Sequence, residues 1–183
     1  QEAIGNSPLS NCLTYTGIFD EIRDFFAQTP LAKEKKLKKS HFSFNSKDGN
    51  CPHCKGMGKI KVSLDFLSDI WVKCDLCQGR RYQEEVLEVK FLHKSMDEVL
   101  SMNISEAIHF FGDHPKIRQS LVILESVGLS YLTLGQATNT LSGGESQRLK
   151  LAKELMKARK EKTLFLFDEP STGLHLKDVE QLL

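Results

Sequence analysis

The chain has 183 residues, 40% hydrophobic and 27% charged, with a net charge of +1. Those proportions exclude wholesale disorder, a collagen-like repeat and a disulfide miniprotein. No apolar run approaches the roughly 20 residues that span a bilayer. The opening QEAIGNSPLS has neither the basic start nor the apolar core of a signal peptide, and no Met begins it. A cytoplasmic protein with no membrane partner, cut from a longer chain, is the expectation. Charge is unevenly placed. Residues 1–32 carry net −3 and residues 95–183 net −2, whereas residues 33–94 carry +6 from 14 basic and 8 acidic residues. The middle third is the candidate for contact with a polyanion.

In chain order, residues 1–16 read as an irregular loop rich in Gly, Pro, Ser and Asn. GIFDEIRDFFAQ (17–28) spaces Phe19, Ile22 and Phe25/Phe26 at helical intervals and predicts a short amphipathic helix. The charged stretch 31–39 reads as solvated surface. A second unit opens near Gly49 and closes near Arg81. Inside it, Ile60, Val62, Leu64 and Phe66 alternate as in a strand, with IWVKC as the hairpin partner. EEVLEVKF (84–91) predicts another strand. The chain then turns helical. Ser95 and Glu98 have capping-box spacing, and Ser105 is the expected cap of a helix through Phe111. PKIRQSLVILESVGL has Pro115 at a first helical position and Gly128 near the end. In TLSGGESQRLKLAKELMKARK, Ser142 and Glu145 again have capping-box spacing, and Leu149, Leu151/Ala152 and Leu155/Met156 share a face. TLFLFDEP is a continuous apolar run, the pattern of a strand buried on both faces in a parallel sheet. LKDVEQLL opens a further helix.

Four of the five cysteines form two pairs, Cys51/Cys54 and Cys74/Cys77, with 19 residues between them. This is four-cysteine zinc spacing, and without a secretory signal it argues for metal rather than disulfides. Each CxxC turn offers two thiolates, and a hairpin brings the second pair round to complete a closed, structural tetrahedron. Gly56, Gly58 and Gly79 let backbone amides turn toward sulfur. His53 reads as a solvent-exposed side chain and Cys12 as a small structural residue.

The second constellation is LSGGESQR (141–148), followed after 16 residues by FLFDEPSTGLH (165–175). Ser142, Gly143 and Gly144 lie where a helix begins, so free N–H groups and the positive dipole end favour an anion. Asp168 and Glu169 close the apolar strand, where one acid can hold Mg²⁺ and its neighbour polarise water.

LSGGESQR resembles the signature motif of ABC-type ATPases, FLFDEP their Walker B strand with its catalytic acid, and STGLH their D-loop. A closer resemblance, over essentially the whole chain, is to the UvrA family, the damage-recognition subunits of the bacterial UvrABC excinuclease. It rests on NCLTYTGIFDEIRDFFA, HFSFN, CPHCKGMGKIKV, WVKCDLCQGRRY and VGLSYLTLGQATNTLSGGESQRLKLAKEL. The resemblance implies an α/β fold, α+β in part: a partial ABC ATPase domain with a helical signature region and an inserted zinc-ribbon module. The implied divisions are 1–48 (Q-loop and start of the signature region), 49–83 (zinc module), 84–141 (strand, then helical signature region) and 142–183 (signature helix, Walker B strand and D-loop).

The resemblance also implies roles. Gln1 would be the Q-loop glutamine; Ser142, Gly143, Gly144 and Glu145 would meet ATP held by the other ATPase half. Asp168 and Glu169 would be catalytic, Ser171, Thr172, Gly173, Leu174 and His175 the D-loop, and Cys51, Cys54, Cys74 and Cys77 the zinc ligands. Lys55, Lys59, Lys61, Lys73, Arg80 and Arg81 would face damaged double-stranded DNA. Implied cofactors are one Zn²⁺ per chain with ATP and Mg²⁺; implied partners are UvrB and a second copy in a homodimer. No GxxxxGK[ST] phosphate loop occurs in the chain, so it is expected to hydrolyse no ATP alone. Asn6 and Leu9 stand where relatives carry arginines, and Cys12 where they carry proline, which puts DNA contacts of that loop in question. CPHCKGMG and CDLCQGRR also resemble the CxxCxGxG repeats of DnaJ-type chaperones, which bind unfolded polypeptide. Transporter nucleotide-binding subunits share the ABC motifs. Neither alternative accounts for both constellations.

Overall fold

The computed structural model describes residues 7, 9–64 and 67–158. It is mixed helix and strand. Helices are α1 (Cys12–Thr16), α2 (Ile18–Ala27), α3 (Pro30–Glu34), α4 (Glu84–Leu87), α5 (Met96–Leu100), α6 (Ile104–Phe110), α7 (Pro115–Ser126) and α8 (Gly143–Ala158); the strands are β1 (Lys59–Leu64) and β2 (Leu67–Lys73). No described helix is long and apolar enough to cross a membrane. The expected strand TLFLFDEP, the helix after it and Gln1 lie outside the described residues. The chain divides into two compact units, residues 1–21 with 101–183, and residues 22–100.

In the first unit, α7 packs against both α6 and α8, and α8 against α1. Buried Ile104, Ala107, Phe111, Leu121, Leu124, Leu149 and Ala152 supply its core. The loop expected over residues 1–16 gives way to a helix at its end, α1 over Cys12–Thr16. Asn11 caps α1, its side-chain oxygen accepting the Thr14 N–H at 2.8 Å while the Thr14 hydroxyl accepts the Asn11 N–H. Cys12 is fully buried, its thiol 3.2 Å from the Leu134 carbonyl, and burial pushes its pKa up to about 12. The loop ahead of α8 is strapped at both ends: Leu134 N–H donates to the Met102 carbonyl, and Thr138 N–H to that of Ser10. Ser105 does not cap α6. Asn103 does, with Glu106 completing the box, because Asn103 stands just ahead of the first helical residue.

In the second unit, Phe26, Phe42, Phe44, Tyr82, Val86, Met96 and Val99 are buried. Phe26 meets Phe42 at 5.7 Å between centroids, and Tyr82 stands edge-on to Phe44 at 6.2 Å. The Tyr82 hydroxyl donates to the Phe42 carbonyl at 3.1 Å. The expected strand over 84–91 is instead the short helix α4. Val86, Leu87 and Val89 are all buried, a helical rather than alternating pattern, and Glu84 and Glu85 sit in the first turn where acids are favoured. Nor is 31–39 wholly solvated: Ala32 and Leu37 are buried, and Lys35 and Lys39 pair with Glu88 and Asp24. β1 and β2 form the expected antiparallel hairpin, pairing Lys59 with Lys73, Ile60 with Val72, Lys61 with Trp71 and Val62 with Ile70. Paired residues share a face. One face therefore carries Lys59, Lys61, Trp71 and Lys73, the other Ile60, Val62, Ile70 and Val72. Ile60 packs against the four cysteines, whereas Val62, Ile70 and Val72 on the same face are exposed. Trp71 is 48% exposed, with the Lys59 ammonium over its ring at 5.1 Å.

Candidate metal centre and signature turn

The four paired cysteines are buried free thiols whose sulfurs all lie within 4.8 Å of one another. Cys51 and Cys74 are 3.9 Å apart, and Cys54 and Cys77 3.6 Å. A tetrahedral zinc site with Zn–S bonds of about 2.3 Å needs sulfurs roughly 3.8 Å apart, so the cluster fits that ion. Burial raises Cys54, and pushes Cys77 up to about 12. At Cys74 burial pushes the same way but is outweighed by hydrogen bonds from the Cys77 and Leu76 amides and neighbouring thiols, which bring it to about 7.

The knuckles are copies at an offset of 23 residues, and their backbones agree. Lys55 and Gln78 have φ of 51° and 50°, Gly56 and Gly79 83° and 79°, Gly58 and Arg81 74° and 73°. Left-handed geometry points amides at sulfur: Gly58 N–H donates to the Cys54 sulfur at 3.2 Å, and Arg81 N–H makes the matching bond to Cys77. Each knuckle is also closed by the other. Cys51 N–H donates to the Arg81 carbonyl at 2.8 Å, and Cys74 N–H to the Gly58 carbonyl at 3.0 Å. Gly56 has a second constraint, since a Cβ there would lie 1.8 Å from the Phe44 carbonyl oxygen. His53 is half-exposed but engaged. Its Nδ1 lies 2.9 Å from an Asp75 carboxylate oxygen, a contact that crosses from one knuckle to the other, and 3.9 Å from the Cys74 sulfur.

The six basic residues of this region differ in setting. Arg81 is largely buried over the Phe44 ring at 5.3 Å, and burial lowers its pKa, so it is part of the packing. Arg80 pairs with Glu84 at 2.7 Å and Lys61 with Asp69. Lys55, Lys59 and Lys73 are exposed.

Ser142 and Glu145 form the expected reciprocal cap at the start of α8. Ser142 N–H donates to Glu145 Oε2 at 2.7 Å, and Glu145 N–H to Ser142 Oγ at 3.2 Å. Gly143 has no positive φ, and a Cβ placed on it would meet nothing within 4 Å. Neither backbone conformation nor internal packing asks for glycine there; what the glycine leaves is an open face. Two residues outside the expected site join it. The Tyr131 hydroxyl donates to Glu145 Oε1 at 2.7 Å and accepts from Arg148 Nη2 at 3.2 Å. Arg148 stands in the quoted motif, whereas nothing local in the sequence marks Tyr131. Of the remaining expected site residues, Gln1, Asp168, Glu169, Ser171, Thr172, Gly173, Leu174 and His175 lie outside the described residues.

No family model matches the chain. Over all 183 residues it is 52% identical to UvrABC system protein A of Bacillus subtilis (strain 168), covering 19% of that protein, and 51% identical to that of Aquifex aeolicus (strain VF5), covering 20%. The crystal structure of UvrA2 from Deinococcus radiodurans matches with a TM-score of 0.89 at 48% identity, over 99% of this chain and 22% of that one. The chain thus spans about one fifth of the length of the relatives it matches. Along its whole length, knuckles and signature turn included, the chain is similar to one stretch of UvrABC system protein A.

Proposed function

We propose that this chain is the part of a nucleotide-excision-repair ATPase that joins a zinc module to half of an ATP site. The observation that carries the reading is the open Ser142-Gly143-Gly144 turn at the head of a 16-residue helix, in a chain half-identical along its whole length to UvrABC system protein A. Cys51, Cys54, Cys74 and Cys77 would hold one structural Zn²⁺. With four protein sulfurs no position is left for catalysis, so the ion would fix the knuckles and the hairpin they carry.

At the turn, the Ser142 hydroxyl accepts from Glu145 N–H and keeps its own proton to donate. Glycines let a phosphate come close to the first amides of α8. That phosphate would belong to ATP bound by a second ATPase half, completed in a homodimer. Asp168 and Glu169 would serve the site whose phosphate loop the chain does not carry, holding Mg²⁺ and orienting water, with Gln1 and the loop from Ser171 to His175 beside them. Lys55, Lys59, Lys61 and Lys73 with Arg80 supply charge for the phosphates of damaged DNA, while Arg81 acts from within the packing. ATP-driven closure would then couple DNA engagement to the loading of UvrB, in the cytoplasm.

A second reading has one observation in its favour. The exposed part of the hairpin's aliphatic face, Val62, Ile70 and Val72, suits an unfolded polypeptide. One experiment separates the two: fluorescence anisotropy of intact and lesion-bearing duplexes titrated with full-length protein, with unfolded polypeptide as competitor, with and without ATP. We expect salt-sensitive binding that favours the lesion and responds to nucleotide. Displacement of DNA by the polypeptide, with no response to nucleotide, would transfer the assignment to the second reading.

A further inference from the structure

Tyr131 is the residue of this unit whose placement the signature motif leaves unaccounted for. It is 56% exposed, yet its hydroxyl is held on both sides, donating to Glu145 at 2.7 Å and accepting from Arg148 at 3.2 Å. Arg148 is buried to 7% exposure. Glu145 is thus committed at both carboxylate oxygens, Oε1 to Tyr131 and Oε2 to the Ser142 amide. Burial tends to raise its pKa, but those bonds keep the carboxylate ionised, below the usual range. The loop that carries Tyr131 is anchored next to it, because Ser105 N–H donates to the Ser130 carbonyl and Ile104 N–H to that of Leu132. A chain of contacts therefore runs from a fixed loop through Tyr131 to Glu145 and on to Ser142.

We propose that Tyr131 is a positioning residue for the nucleotide-contacting turn: acting through Glu145, it holds the Ser142 amide and hydroxyl in the orientation that receives a phosphate. The proposal rests on the reading of Ser142-Gly143-Gly144 as a nucleotide contact. Tyr131 itself touches no phosphate. Without its hydroxyl, Glu145 keeps the Ser142 amide but loses the bond that fixes its own rotamer. The Ser142 turn then samples orientations that ATP must reselect on binding. The cost falls on productive binding of ATP, so KM rises while kcat at saturation is kept.

The test is a double-mutant cycle on steady-state ATP hydrolysis by the full-length protein. Tyr131→Phe keeps the ring and removes one oxygen. It should raise KM for ATP about five-fold with kcat within about two-fold. In a Glu145→Ala background, Tyr131→Phe should have no further effect, because the group it acts through is gone. Thermal melting of every variant reports folding separately. Equal, additive effects of Tyr131→Phe in both backgrounds would overturn the proposal, as would a Tyr131→Phe variant with unchanged KM. Ser142→Ala tests the underlying reading: full activity and affinity there would remove the nucleotide contact itself, a result distinguishable from a silent Tyr131→Phe.

Discussion

Replacing Gly143 by alanine separates what the fold needs from what the site needs. Alanine is favoured over glycine within a helix by up to about 1 kcal/mol, and by less in the first turn. The added methyl meets nothing within 4 Å and the backbone has no positive φ, so neither a clash nor strain opposes the gain. Gly143→Ala should therefore leave stability unchanged or raise it by up to about 1 kcal/mol, read as a shifted urea midpoint at constant slope. The same methyl stands where a phosphate must approach the amides. Removing one such set of preorganised donors costs on the order of 10²-fold in turnover, so ATP hydrolysis by the full-length protein should fall at least about ten-fold. A loss of stability beyond about 1 kcal/mol would mean the glycine serves the fold after all. Unaltered hydrolysis with normal stability would mean that nothing approaches the open face.

Gly56→Ala should behave oppositely: its Cβ would fall 1.8 Å from the Phe44 carbonyl at a φ of 83°, so retained zinc, counted by atomic absorption after dialysis, should drop below one per chain. Chelation of the proposed ion should loosen the knuckles and speed proteolysis within 49–83 while the first unit keeps its helical circular dichroism; unchanged cleavage would count against a structural ion. Tyr82→Phe keeps the buried ring but deprives the Phe42 carbonyl of its donor, which should lower stability by about 1–1.5 kcal/mol in chemical denaturation. Glu98 is held below its ordinary pKa of 4.5, first by the Ser95 amide and then by the Ser95 hydroxyl. Its contribution is complete above 4.5 and is lost as pH falls through the lower folded value. The stability gap between the native chain and Glu98→Gln should accordingly shrink below pH 4.5, and a gap that stayed constant with pH would dismiss the carboxylate as the cause.

The legible parts of this chain were those in which chemistry is written locally. Two CxxC pairs at a fixed spacing, a proline opening α7 and a serine three residues ahead of Glu145 each name their geometry within a few residues. Failures arose where a nearby signal was read with the wrong period. EEVLEVKF reads as a strand from its valines, but adjacent Val86 and Leu87 are both buried and the segment opens with two acids, as a helix does. Asn11 and Thr14 carry a capping box inside a stretch whose composition suggested loop. The hairpin was correctly placed, but alternation implies one buried face, and here Ile60 is packed on the cysteines while Val62, Ile70 and Val72 of that face are exposed. No sequence pattern could have joined Tyr131 to Glu145, 14 residues away, because the strapped loop that brings them together is a tertiary fact.

Because each knuckle takes its closing hydrogen bond from the backbone of the other, neither is a folding unit on its own. A peptide containing Cys51 to Gly58 lacks the Arg81 carbonyl, and one containing Cys74 to Arg81 lacks that of Gly58. Metal capture by this module should therefore be cooperative in the strict sense, with no half-loaded state of two sulfurs awaiting the other two. The hairpin between the knuckles is gathered in the same event, since its two ends are the residues being joined. Zinc supply would then set how many copies carry a formed hairpin, rather than how well each copy is formed.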